Sequence, residues 1–467
     1  MLANEKIGKL LRTLSVPAII GMVVQALYNV VDTFFVSRFV GTLGVAGVAV
    51  AFPIQMVLIG FGAVVGIGGA SLLSRRLGER DREGASLAMG NMILLSMAIG
   101  VVSIICGLTF IEPLLRLFGA NDDIMPFARS FISVIIMGSP FFIFSMVASS
   151  SARAEGNAKV AMLSMVIGGC LNVVLNPIFI IGLGRGVRGS AEASVISAFA
   201  SCVFLLFYLL KGKSEIVLKP RHFRLKWPIV REVFAVGSSD FARTAAMSAT
   251  SAIFNNILEH LGGAVPIAVF GITFRVMSFV IMPIIGIAQG AQPILGFNYG
   301  ARQFRRVRKC LSLANKSSTV ISCIGFVVFM GFPEQIFRIF ISSADPNYEQ
   351  VVAMGVSATR WLALAFPLIG YQNIGASLFQ AIGKAGHAVF LASSRQVLFL
   401  IPMVLILSKL LGLTGVWLSF PASDITAFAV TWFMVVREQR TLARMESLPP
   451  PPEQQKRKIS DPPEIFS

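Results

Sequence analysis

The chain has 467 residues, of which 55% are hydrophobic and only 13% charged, and it carries a net charge of +17. Soluble domains hold about 25% charged residues, so an ordinary soluble fold is excluded. The basic excess would suit nucleic acid, but it is confined to alternate connectors between apolar runs, which excludes that partner too.

Apolar runs long enough to cross a bilayer, about 20 residues each, recur along the chain. They fall at 14–37, 45–70, 88–111, 127–151, 160–182, 189–210, 233–258, 265–294, 312–332, 351–378, 387–408 and 414–436. A membrane β-barrel would show alternating segments of about ten residues; these runs are longer and continuous, so they predict helices. The expected fold class is an all-α polytopic membrane protein, with twelve transmembrane helices in two pseudo-symmetric six-helix lobes around a central cavity. An amino-terminal lobe (14–210, after a short 1–13 segment) and a carboxy-terminal lobe (233–436) flank a basic linker at 211–232. The tail at 437–467 is rich in Pro and charge, cannot bury a core, and is expected to be disordered.

Charge sets the orientation. The amino terminus and every second connector hold 29 Lys/Arg, the other connectors 7, and four lie within spans. That asymmetry predicts cytoplasmic termini and an even number of spans. The basic connectors would also face anionic membrane lipid. The first apolar run has no cleavage site behind a short core, so it is expected to stay as the first span. The five cysteines lie in or beside spans without metal spacing, and the three histidines are dispersed. No metal or organic cofactor is expected. No GxxxxGK[ST] phosphate loop and no catalytic triad or HExxH set occurs, so the chain reads as neither an ATPase nor an enzyme. The glycines of GFGAVVGIGGA (60–70) lie in a long apolar run without a preceding strand and read as close helix packing.

The halves repeat. Ala46, Phe52, Gly68, Leu73 and Gly78 match Ala268, Phe274, Gly290, Leu295 and Gly300 at a separation of 222; RAEGNA (153–158) echoes QAIGKA (380–385), and Gly189 matches Gly415. Six spans per half insert the two halves the same way up, which predicts a two-fold axis along the membrane normal.

Polar side chains inside spans each need a partner or a function. In the first run Gln25, Tyr28, Asn29 and Asp32 recur at spacings of three and four, placing Gln25, Tyr28 and Asp32 on one face, with Pro17 available to kink or loosen the helix. In the fifth, Asn172 and Asn176 are four apart and precede Pro177; Ser194 opens the sixth. Converged, these oxygens would surround Asp32 in a setting fit for a proton, whose uptake neutralises a charge held out of water, or for Na⁺. Gln25 and Asn29, with Gln289 and Gln292 of the eighth run, are candidates for the cavity that takes substrate. Asp424 lies deep and calls for a donor from a neighbouring helix, while Arg275 and Arg395 are expected to pair or to reach toward the interface. Numerous Met and Phe suit varied lipophilic ligands.

The stretches QALYNVVDTFFVS (25–37), GGASLLSRRLGERD (68–81), RAEGNAK (153–159), LNVVLNPIFIIG (171–182), FGITFRVMSFVIMPIIGIAQGAQPILGFNYGA (270–301) and QAIGKAG (380–386) resemble the multidrug and toxic compound extrusion (MATE) family, in its DinF-like prokaryotic branch. The resemblance covers about residues 5–440. It implies secondary active efflux of lipophilic, often cationic small molecules, driven by inward H⁺ or Na⁺ and carried out by two rocking lobes. By motif it implies an ion-coupling site on Tyr28, Asp32, Asn172, Asn176 and Ser194, with Pro17 at the bend of the first helix. Asn176 stands where the family often has a second Asp, and Ser194 where Thr is common; loss of that carboxylate favours H⁺ over Na⁺. Glu192 has no account from the sequence. The expected location is the inner (plasma) membrane, as a monomer. The alternatives are a flippase for a lipid-linked glycan or peptidoglycan precursor, which would prefer a strongly cationic cavity, and a non-transporting scaffold or receptor.

Overall fold

The computed structural model describes residues 1–467 except 212, 213, 215, 342–347 and 449–467; the side chains of Asn29, Thr33, Thr42 and Ala264 also lie outside the described residues. Helices follow one another with short connections: α1 (Ile7–Phe39), α2 (Thr42–Gly78), α3 (Arg82–Thr109), α4 (Ile111–Leu117), α5 (Met125–Met137), α6 (Ser139–Ala154), α7 (Ala158–Pro177) and α8 (Gly186–Leu210) form the first lobe. The second comprises α9 (Trp227–Gly262), α10 (Ala264–Gly300), α11 (Phe304–Gly331), α12 (Pro333–Phe340), α13 (Tyr348–Ala363), α14 (Phe366–Ala381), α15 (Ala385–Ser394) and α16 (Ile401–Ser447). Wide π-helical turns at Ile178–Gly182 and Arg395–Leu400 extend α7 and join α15 to α16.

Among the described residues, eight helical stretches are long and apolar enough to cross a membrane, or ten with the bent pairs α5–α6 (50°) and α13–α14 (49°) each counted as one span. The longest stretch, Ala385–Ser447, is two spans hinged at Gly412, whose φ of 58° is open to glycine at no steric cost. Helix α9, 36 residues long, is made more polar by Asp240 and Arg243 and completes the twelve. The fourth and tenth runs of the sequence, read there as single helices, are therefore each broken: Pro140 and Pro367 sit at the second position of α6 and α14, where a missing N–H is tolerated but a helix running in from before is not continued.

The repeat is carried by the backbone. Helices α1 to α3 and α9 to α11 keep the offset of 222, and α6 and α7 are related to α14 and α15 by 227. Left-handed backbone recurs at the same places: Gly41 and Gly263, Arg80 and Arg302, Gly156 and Gly383. The lobes meet about this pseudo-two-fold axis. A Cβ on Gly78 would strike the Phe297 carbonyl, and one on Gly300 would strike that of Arg75; each of these contacts is the 222-residue image of the other. Gly68 packs on Val233 and Gly237 on Val64 between α2 and α9, and Gly286 and Gly290 pack on Ile19 and Ser15 between α10 and α1.

All of these contacts lie in the half of the molecule that carries the termini. So do the hydrogen bonds and the ion pair that join the lobes among the described residues. Ser71 donates to the carbonyls of Gln380 and Ala381, Arg75 pairs with Glu232 at 2.8 Å, and Arg306 donates to the carbonyls of Leu2 (3.1 Å) and Glu5 (2.9 Å). A continuous apolar cluster covers that side, running from Leu10 and Leu14 of α1 to Ile294 and Leu295 of α10 and Leu311 of α11. Toward the opposite face α1 and α2 leave Leu27, Val30, Phe34 and Phe52 exposed. Among the described residues the lobes are thus joined on the terminal face.

The expected tail needs correction. The last helix does not stop at 436: residues 437–447 are helical, with Glu438 and Leu442 buried, and Lys384 pairs with Glu438. They have a structural role that the charged composition concealed. The rest of the expected disordered tail, from 449 on, lies outside the described residues. Glu192 accepts from Arg185 (2.6 Å) and Arg188 (3.1 Å) at the start of α8, which accounts for an acid in an otherwise apolar helix.

Candidate functional site

The candidate site is built where α1, α7 and α8 meet in the far half of the first lobe. Helix α1 runs unbroken from Ile7 through Pro17 to Phe39. Its packing on α7 depends on small residues: Gly21 abuts Met165, and Gly169 abuts Val24 and Tyr28. That close approach brings Asp32 to the end of α7. Asn172 and Asn176 are both buried there, one helical turn apart.

The polar groups form one chain. The Ser190 hydroxyl donates to Asp32 Oδ1 at 2.6 Å, and Asn176 Nδ2 donates to the same oxygen at 3.0 Å. Asn176 Nδ2 also donates to Asn172 Oδ1 at 2.9 Å, and Asn172 Nδ2 donates to Ser194 Oγ at 3.0 Å. Tyr28 is half-buried beside Asp32 and Gln25. Of the residues singled out in the sequence, the structure thus brings together Asp32, Asn172, Asn176 and Ser194, with Tyr28 alongside. Pro17 is buried four turns away, toward the terminal face.

Two features give this chain its chemistry. The second oxygen of Asp32 accepts no hydrogen bond among the described residues, and Asp32 keeps partial exposure. The carbonyl oxygen of the Asn176 amide is buried with no partner. A buried acceptor costs about 1–3 kcal/mol when unsatisfied. An orphaned acceptor on the amide that holds a carboxylate is a place for a positive group: an O–H formed on the acid, or a small metal cation taking oxygen ligands. Asp32 has no cation within ion-pair distance among the described residues, whereas the other deep acids do. Asp424 is held by Arg395, whose Nη2 lies 3.2 Å from Oδ2, and Asp240 is held by Arg243.

Sequence reasoning missed Ser190, the shortest contact to Asp32. Its signal was present: Ser190, Ser194, Ser197 and Ser201 recur along α8 at helical spacing. Gln25 is exposed on α1, and the Asn29 side chain lies outside the described residues. Gln289 and Gln292 of α10 are half-buried, each with one buried atom (Oε1 and Nε2) lacking a partner.

Comparison with known proteins adds the following. The MatE family model matches residues 17–178 and 241–406, once in each half of the chain. The chain is 26% identical to the multidrug export protein MepA of Staphylococcus saprophyticus, over 93% of this chain and 95% of that one. It is 24% identical to the protein of the same name from Staphylococcus aureus, over 94% and 95%. Among solved structures, an outward-facing conformation of a multidrug resistance MATE family transporter superposes with a TM-score of 0.90 at 30% identity, covering 95% of this chain and 98% of that one. A MOP superfamily transporter from Pyrococcus furiosus superposes at 0.89 with 29% identity, over 95% and 98%.

Proposed function

The chain belongs to the MatE family, and on that premise we propose that it exports small lipophilic, often cationic compounds by cation antiport, through alternating access of its two lobes. The observation that carries the coupling is Asp32: a spanning carboxylate with two donors on one oxygen, none on the other among the described residues, and the orphaned Asn176 carbonyl on the neighbouring amide.

The distribution of Lys and Arg favours both termini in the cytoplasm of a multi-pass plasma-membrane protein. On that assignment the terminal-side seal makes this the outward-facing state. Asp32 then sits in the half open to the outside, ready to receive a cation. Ser190 and Asn176 hold the carboxylate form through charge-assisted hydrogen bonds. Arrival of the cation removes the charge those donors answer. The contacts tying α1 to α7 and α8 weaken, and α1 shifts where Pro17 leaves the Thr13 carbonyl without its helical donor. The outer half of the first lobe contracts, and the substrate leaves.

A proton fits better than Na⁺, because Asp32 is the lone acid of the site and Asn176 contributes no charge. Each net unit charge moving inward supplies about 2.3 kcal/mol per 100 mV, so for a neutral substrate one cation per cycle supports more than about tenfold accumulation outside; for a monovalent cationic substrate the charges cancel and the concentration gradient of the ion drives export. We place the protein as a monomer, with membrane lipid as its other partner and no organic cofactor. The glycan-flippase alternative prefers a free cationic cluster in the cavity, and pairing of Arg395 with Asp424 counts against it.

The test is dye efflux from liposomes under an H⁺ or a Na⁺ gradient imposed separately. The wild type is expected to respond to the H⁺ gradient and Asp32→Asn to neither. Equal efflux by both proteins removes Asp32 from coupling, and response to Na⁺ alone reverses the choice of ion.

A further inference from the structure

On the terminal face the repeat presents two equivalent corners, each at the start of the third helix of a lobe. In the first lobe, Glu83 in the first turn of α3 pairs with Arg221 (2.9 Å) and His222 (3.1 Å) of the basic linker. Asn91 clamps the same strip of chain, donating to the Arg224 carbonyl at 3.0 Å and accepting from the Lys226 N–H at 2.8 Å. Basic linker and acidic helix start are complementary.

The residue 222 positions after Glu83 is Arg305, in the first turn of α11. The corner here is closed by the first residues of the chain, held by Arg306 through the Leu2 and Glu5 carbonyls. Glu83 thus has no acidic counterpart on α11, and basic residues come from both sides. Lys6, Arg305 and Lys309 border a cavity of about 350 Å³, and none of the three makes an ion pair among the described residues. Glu5 lines the same cavity. One of its oxygens accepts from Lys9 at 3.3 Å; the other is buried without a partner. Neither α1 nor α11 has an acidic residue in its first turn or a side-chain cap, so two positive helix ends add to the field.

We propose that this cavity binds a phosphate-bearing anion that also carries a hydroxyl or ammonium donor. The phosphate engages Lys6, Arg305 and Lys309 and replaces the charge that Glu83 supplies at the other corner. The donor satisfies the free oxygen of Glu5. A lipid headgroup of the adjoining leaflet and a soluble phosphate ester share this chemistry. Lys6 belongs to the first lobe and Arg305 and Lys309 to the second, so the ligand bridges the lobes where they are closed. A ligand that needs both sides stabilises the sealed state by linkage. That consequence rests on the alternating access proposed above; the binding itself does not.

The experiment uses the full chain in bilayers of equal phosphatidylglycerol and phosphatidylcholine. Lipid retained on the intact protein is counted by mass spectrometry, with and without soluble glycerol phosphate. The wild type is expected to retain one phosphatidylglycerol in preference to phosphatidylcholine. Arg305→Ala is expected to lower that retention about fivefold, the worth of one cation near a membrane surface, and Arg305→Glu to lower it further. Retention unaffected by glycerol phosphate assigns the site to lipid; displacement by it assigns the site to the soluble ester. Equal retention by wild type and Arg305→Glu overturns the proposal. Unfolding temperature in pure phosphatidylcholine separates lost binding from misfolding, and Lys309→Gln gives the same readout if Arg305→Glu does not fold. Spin-label distances across the terminal face test the consequence separately: they are expected to shorten on average when the anionic lipid is present, and a bound anion that leaves them unchanged refutes the bridging role.

Discussion

The two lobes share a backbone frame and fill it with opposite chemistry. At the place of Asp32 the second lobe has Phe254, 222 residues on; at the place of Ser194, by the offset that relates Gly189 to Gly415, it has Phe420. Phe254 stacks on Phe270 with ring centroids 5.4 Å apart and meets Phe420 at 4.9 Å. Phe274 joins them through Phe270 at 4.8 Å. One corner of the repeat holds a hydrogen-bonded acid with an open oxygen, and the other holds an aromatic cluster. The second lobe keeps acids elsewhere in its spans, but Asp240 and Asp424 are each paired with an arginine. The frame supplies two equivalent positions, and on the proposed coupling the side chains of the first lobe are the ones that take up the moving charge.

That contrast can be broken in graded steps. Asp32→Asn carries the largest expected effect, loss of gradient-driven efflux to the level of empty liposomes with the fold retained. Asp424→Asn is expected to do the reverse. It strands Arg395 in the membrane and lowers stability by about 3–5 kcal/mol, the cost of breaking a buried pair from one side. Thermal unfolding in detergent measures it, and coupling in whatever protein folds should persist. If Asp424→Asn instead uncouples a stable protein, the assignment of coupling to the first lobe alone fails. Ser190→Ala removes the 2.6 Å donor to Asp32; a hydrogen bond to a charged group is worth about 1.5–3 kcal/mol, so the cation concentration for half-maximal efflux should move by about tenfold or more. Ser194→Ala acts one bond further out, on Asn172. A neutral hydrogen bond is worth about 0.5–1.5 kcal/mol, and the same titration should move by a few-fold. An equal effect of the two serine variants would argue against the order of the chain as drawn.

Much of this arrangement was written in the chain. Twelve apolar runs, the charge alternation and the matched glycines are local quantities, and a bilayer leaves helices as the way to satisfy their backbone. The stripes on α1 and α7 follow from helical period alone, so Asp32 and the two asparagines were visible as a set. The bends at Pro140 and Pro367 were signalled too, but a proline in an apolar run does not say whether the helix kinks or is re-started.

What the sequence did not decide was pairing. Ser190 and Ser194 lie on one helix face, and only the approach of α1, permitted by Gly21 and Gly169, selects Ser190 for Asp32. Asp424 and Arg395 were readable as charges in the membrane but not as partners, because they lie on neighbouring spans joined through the hinge at Gly412. Burial and spacing belong to one helix at a time and are fixed by composition; which lone pair remains empty depends on how three helices converge. For this protein the chain determined that an acid would stand in the membrane, and the tertiary packing determined that, among the described residues, this acid would keep an oxygen free with no arginine beside it, unlike Asp240 and Asp424.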